Sequence, residues 1–174
     1  MSMTTATRPG SDEYAPSYEN YVSIVPDGDI VETLSHQLDE VLALLRGVPE
    51  SRGDARYAPD KWSVKELVGH MCDTERVFAY RAMCIARGER ADLPGMDQDE
   101  YMGGANFGAC ALKDLADEFG HVRRATLSLF RHLDAAGWAR RGTANANEVS
   151  VRALAHIIAG HASHHARILR ERYL

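Results

Sequence analysis

The sequence predicts an all-α protein, a four-helix bundle with long connections between its helices. Three observations carry this. Four segments repeat apolar residues at intervals of three and four, the mark of a helix that buries one face. Asp29, Ser63 and Ser150 stand where three of these segments open, and their side chains are of the type that caps a helix N-terminus. No run alternates apolar and polar residues as a half-buried strand would.

The elements follow in order. The first 20 or so residues mix Ser, Thr, Pro and Gly and read as a flexible N-terminal arm (residues 1–20), which leaves residues 21–174 as one domain. The first helix starts at Asp29, with Glu32 as its capping partner, and runs to about Arg46 with Ile30, Leu34, Leu38, Val41 and Leu45 on one stripe. "GVPESRGDARYAPDK" is loop. The second helix opens at Ser63, where Glu66 completes a capping box, and continues to about Arg87. "GERADLPGMDQDEYMGGANFGA" is a long connection with one helical turn around "DQDEYM"; connections of this length inside a domain are crossovers or form sites. The third helix spans about Ala111–Ala136, "GWARRGTANANEV" is loop, and the fourth helix runs from Ser150 almost to Leu174. Such a set of amphipathic helices assembles as a bundle.

Bulk properties narrow the function. A chain of 174 residues, 45% hydrophobic and 26% charged, suits one globular domain. A net charge of −5 and no basic run exclude a nucleic-acid surface, which needs clustered Lys and Arg. No apolar run approaches the roughly 20 residues of a membrane span. The N-terminal residues lack an apolar signal core, which predicts a cytoplasmic protein. Three unpaired cysteines, Cys72, Cys84 and Cys110, with no CxxC spacing, read as small structural residues rather than disulfides.

The chemistry concentrates in "GHASHHARIL", residues 160–169. At about 100° per residue, His161 and His165 fall on the apolar stripe of Val151, Leu154, Ile158 and Leu169. His164 falls at the border. His156 falls with Arg152, Arg167 and Arg170 on the polar face. On the second helix His70 lies at the margin of the face of Val64, Leu67, Met71, Phe78 and Ile85, and Glu75 lies within that face. His36, His121 and His132 point outward. Inward histidines one turn apart are costly unless their ring nitrogens find partners. A metal held by His161, His165 and His70 from a facing helix meets that need, and three imidazoles with open positions suit Zn²⁺, Ni²⁺ or Fe²⁺. The plain alternative is core histidines bonded to carbonyls and tyrosine hydroxyls.

Other metal patterns fail. An HExxH protease needs Glu where Ala162 stands. A di-iron bundle needs two Glu-x-x-His pairs, and the single match, Glu118 to His121, points its histidine outward. Haem has no independent support. Glu75 either pairs with an arginine such as Arg81 or Arg123 or orients a ligand histidine.

"KWSVKELVGHMCDTERVFAYR", followed some ninety residues later by "VRALAHIIAGHASHHARILRERYL", resembles the DinB-like (DinB/YfiT) superfamily of metal-binding four-helix-bundle proteins, and the likeness runs from about Val25 to the end. It implies an up-down-down-up bundle, a three-histidine site for nickel or zinc at His70, His161 and His165, and a homodimer. Characterised relatives include enzymes that use a low-molecular-weight thiol, so the resemblance implies a metal-dependent transferase that joins such a thiol to an electrophilic small molecule. A metal-assisted hydrolase and a non-enzymatic metal- or ligand-binding stress protein are the alternatives. Glu75 would support a ligand from behind; His164 supports a ligand, contacts substrate or faces water; and Tyr18, Tyr21, Asp97 and Asn106 would line the mouth.

Overall fold

The computed structural model describes residues 7–174. Its helices are α1 (Glu19–Val22), α2 (Ile30–Arg46), α3 (Val64–Ala86), α4 (Gln98–Gly104), α5 (Leu112–Arg131), α6 (Ala135–Ala139) and α7 (Val151–Ile168); strands β1 (Arg141–Ala144) and β2 (Asn147–Ser150) precede α7. The capping residues work as the sequence predicts. Asp29 Oδ1 accepts from the Val31 and Glu32 N–H groups, and Ser150 Oγ accepts from Ala153 N–H at 3.0 Å. At Ser63 the box is complete: Glu66 N–H donates to Ser63 Oγ at 3.2 Å, and Ser63 N–H donates to Glu66 Oε2 at 2.7 Å.

The four long helices, α2, α3, α5 and α7, form the predicted bundle. Each of α3 and α2 packs against both α5 and α7, so the order around the bundle is α2, α5, α3, α7. Chain-consecutive α2 and α3 therefore sit on a diagonal, and α3 meets α7 along its length. Leu34, Met71, Phe119, Leu154 and Ile157 fill the centre.

Two expectations need correction. The third long helix ends at Arg131, not Ala136: Asp134 Oδ1 accepts from Gly137 N–H at 2.7 Å and starts α6, which stacks Trp138 on Phe130 with ring centres 5.2 Å apart. The segment read as loop also holds a β-hairpin, Arg141 opposite Ser150 through Ala144 opposite Asn147. Four-residue strands are too short to show a period, and the turn residues Asn145 (φ 52°) and Ala146 (φ 60°) lack the glycine that announces such turns.

Residues 1–6 of the predicted arm lie outside the described residues. The remainder turns at Ser11–Glu13 and Pro16–Tyr18 before α1 packs on α7. Glu13 anchors it, accepting from Arg152 Nε and Ser150 Oγ, each at 2.7 Å. A third departure is His156: placed on a polar face by its bearing, it is buried, with Nδ1 2.8 Å from the Arg152 carbonyl oxygen. A helix bearing distinguishes core from solvent only where nothing packs on the outer face, and there Thr7, Arg8 and the Pro26–Asp29 segment lie beside His156. Gly160 permits the approach of α1, because a Cβ at that position would lie 2.0 Å from the Tyr21 carbonyl oxygen.

Candidate metal centre

His70 comes from the second turn of α3, and His161 and His165 from successive turns of α7. Because α3 and α7 are neighbours, the three rings meet between them. Nε2 of His161 lies 3.0 Å from Nε2 of His70 and 3.0 Å from Nε2 of His165. The three are buried, 4%, 6% and 7% exposed. Burial pushes the His70 ring down to about 4, and it holds His161 and His165 well below the ordinary histidine value, helped by the neighbouring rings. All three are neutral at pH 7 and present lone pairs rather than charge.

Three imidazoles so placed leave ring nitrogens crowded together, and His165 Nδ1 is buried with no hydrogen-bond partner among the described residues. One cation is the chemical complement of that donor set. Ligand nitrogens around a tetrahedral zinc at about 2.0–2.1 Å are roughly 3.3 Å from one another, close to the two 3.0 Å spacings that His161 makes, with the third pair within 4.8 Å. Among the described residues this is the one group of three His, Cys, Asp or Glu whose donor atoms all lie within 4.8 Å of each other.

The surroundings are aromatic and largely neutral. Trp62 packs on His70 with ring centres 4.7 Å apart, and Tyr21 meets both His161 and His164 edge-on at 5.5 Å. Thr74 Oγ1 is 3.4 Å from His70 Nδ1. His164 is half-buried, its ring 5.0 Å from that of His165, and stands outside the three-nitrogen cluster. Glu75 takes the ion-pair alternative: Arg123 Nε and Nη2 donate to its two carboxylate oxygens at 2.7 and 2.9 Å. Arg123 also donates to Gln37 Oε1, and Gln37 Nε2 donates to the Ala159 carbonyl and Ser163 Oγ, both at 2.8 Å. Glu75 thus braces α7 on either side of His161 without touching a histidine. Cys72 is buried at the α5 side, where burial raises its thiol pKa far above the usual range, and no cysteine joins the cluster.

Two cavities flank the histidines. One of about 190 Å³ is bounded by His70 and His161, and one of about 250 Å³ by His165 and Trp62; Gln98 borders both. Of the predicted mouth residues, Tyr18 and Tyr21 line the first cavity. Asp97 and Asn106 line neither: they precede α4 and the Phe107–Ala109 turn, and Asp97 caps α4. Sequence reasoning missed Arg81 and Asn145 as lining residues. His70, Thr74, Phe78 and Arg81 follow one stripe of α3 at steps of four, four and three, so a charged residue on an apolar face was the available signal for Arg81. Asn145 reaches the cavity from the hairpin turn and carried no such signal.

Residues 33–169 match the sequence profile of the DinB superfamily. The chain belongs to the DinB superfamily. YfiT from Bacillus subtilis, described as "a probable metal-dependent hydrolase with an unusual four-helix bundle topology", has a similar fold. Its TM-score is 0.69 at 13% identity, over 94% of this chain and 89% of that one. No curated protein sequence matches the chain. No helix among the described residues is long and apolar enough to cross a membrane.

Proposed function

We propose that this protein is a metal-dependent enzyme that transfers a low-molecular-weight thiol to an electrophilic small molecule, with His70, His161 and His165 holding the metal. One observation carries the reading: three buried, neutral imidazoles converge where no cysteine or carboxylate joins them. The protein therefore offers a ligand set without a nucleophile of its own. A divalent Zn, Ni or Fe ion there supplies Lewis acidity, lowering the pKa of a thiol or water that completes its coordination.

The chain's own residues do the rest. Burial keeps the three rings unprotonated and available as ligands near neutral pH. Trp62 and Tyr21 pack against the rings, and the two cavities give a thiol and an electrophile separate approaches. In the reaction, the thiol proton passes to solvent, sulfur bonds to the electrophilic carbon, and the leaving group departs with its bonding pair. His164, beside His165 and Tyr21, positions those rings. The proposal includes a homodimer in the cytoplasm, which light scattering on the purified protein and fractionation of cells check.

The test is turnover of monochlorobimane with a panel of small thiols by protein of verified metal content. The reading predicts acceleration with at least one thiol and its loss in His165→Ala. A metal-loaded protein that accelerates none of them refutes thiol transfer. The description of YfiT favours a second reading, hydrolysis by water at the same centre. Activity on activated esters or amides without any thiol distinguishes it.

A further inference from the structure

The protein buries two arginines in its core region, and they are treated differently. Arg123 is saturated: Glu75 takes Nε and Nη2, and Gln37 and the Leu34 carbonyl take Nη1. Arg81 is 4% exposed, yet among the described residues it has no ion pair and its buried Nε has no hydrogen-bond partner. Its guanidinium makes one donation, from Nη2 to the Pro94 carbonyl at 2.8 Å, and lies 5.1 Å from the centre of the Phe78 ring. A guanidinium is always charged, and a buried charge without a counter-charge is strongly unfavourable. The fold keeps it at the wall of the cavity that His70 and His161 also bound.

That cavity contains no Asp or Glu among its lining residues. Arg81 is its one formal charge at neutral pH, and the other polar groups, from Thr74, Gln98, Asn145 and two tyrosines, are neutral. The hairpin turn brings Asn145 there at some conformational cost. Asn145 and Ala146 both have positive φ, which a β-carbon disfavours in alanine especially. Asn145 N–H donates to the Leu93 carbonyl at 2.8 Å and Ala146 N–H to Asp92 Oδ1 at 3.1 Å, so the turn is pinned. Gly95 faces it, and a Cβ there would lie 2.5 Å from Asn145 Oδ1.

We infer that Arg81 binds the carboxylate of a small anionic substrate in the cavity beside His70 and His161, with Asn145 as a neutral hydrogen-bonding partner. The inference takes its reacting centre from the proposed function, but the binding itself does not depend on metal. Arginine's planar fork matches a carboxylate, and the ligand supplies the counter-charge that the protein omits. The geometry also restricts the shape. His70 and Arg81 are eleven residues apart on one helix, about 16 Å along the axis, and a helical side chain leans back toward the N-terminus. The substrate is therefore elongated, with its carboxylate at the end remote from the histidines. A cavity of about 190 Å³ holds a small metabolite rather than a polymer segment.

The experiment is calorimetric titration of metal-loaded and metal-free protein with linear dicarboxylates from succinate to adipate, each paired with its neutral diamide. The expected result is binding of at least one dicarboxylate and no measurable binding of its diamide. Arg81→Gln weakens that binding roughly 10- to 100-fold, as loss of a charged hydrogen-bond partner does, and Arg81→Lys restores part of it. Circular dichroism establishes that both variants are folded; should Arg81→Gln fail to fold, the dicarboxylate–diamide comparison on unaltered protein decides alone. Equal binding of acid and amide, no binding of any dicarboxylate, or unchanged affinity in folded Arg81→Gln overturns the inference. Metal content separates it from the proposed function. Arg81-dependent carboxylate binding in protein that takes up no metal supports this inference while refuting the metal reading. A metal-loaded protein indifferent to carboxylates does the reverse.

Discussion

Replacing Gly160 by alanine sets two effects of opposite sign against each other. Alanine favours a helix interior over glycine by about 1 kcal/mol, which alone would stabilise α7. The added Cβ, however, would sit 2.0 Å from the Tyr21 carbonyl oxygen, 2.5 Å from its carbon and 2.8 Å from its Cα. Ordinary contact begins at 3.4 Å, so α1 must retreat by about 1.4 Å, the difference between 3.4 and 2.0. These are backbone atoms, so no rotamer change relieves the clash. The retreat loosens Val22 and Val25, both buried, each worth about 1.5–3 kcal/mol when fully covered. Partial loss of both outweighs the helix gain, leaving a net destabilisation of roughly 1–3 kcal/mol. The assay is urea denaturation, with hydrogen exchange across residues 19–25. Tyr21 moves with α1, so its edge contacts with His161 and His164 also loosen, and metal affinity falls while the ligands stay intact. A variant as stable as the parent, with unchanged exchange in α1, would refute the claim that this helix is seated on Gly160.

Further outcomes follow from the same contacts. Arg123→Ala leaves Glu75 as an uncompensated buried carboxylate and costs about 3–5 kcal/mol, whereas joint replacement of Glu75 and Arg123 by Leu and Met costs markedly less; denaturant midpoints compare them. Burial alone would raise the Glu13 carboxyl, but hydrogen bonds from Arg152, Ser150 and Gly10 outweigh it and hold it at about 2 against an ordinary 4.5. Its contribution is therefore complete above pH 4.5 and is lost as pH falls toward 2, so Glu13→Gln flattens that part of the stability–pH curve by about 1–2 kcal/mol, allowing for screening at the partly exposed Arg152. An acid limb identical in both proteins counts against this. Ala146→Gly relieves a left-handed alanine and raises stability by about 1 kcal/mol; no gain in thermal midpoint would show that the turn is not strained.

The four long helices were legible because their signals are local. Asp29, Ser63 and Ser150 bond to N–H groups two or three residues away, and an apolar stripe reports burial directly. His161 and His165 were legible for the same reason, being one turn apart on one helix. The third histidine and the facing of α3 and α7 were consistent with helix bearings, though bearings alone cannot choose a partner helix. What escaped was tertiary. His156 bears outward on α7 but lies under the N-terminal segment, which no property of α7 reveals. The end of α5 depends on Asp134 and on Trp138 stacking against Phe130, so apolar spacing ran past it. Arg81 and Arg123 were equal candidates to pair with Glu75, and only the packing shows that Arg123 takes that place.

The most direct test of the central claim is elemental mass spectrometry of tag-free protein after mild chelation and reloading with Zn, Ni or Fe. The unaltered protein, His70→Ala, His161→Ala and His165→Ala are measured together. Three convergent neutral imidazoles predict about one ion per chain in the unaltered protein, with loss in each folded variant. No uptake by the unaltered protein, or uptake undiminished in all three folded variants, would contradict the account and leave these histidines as core side chains.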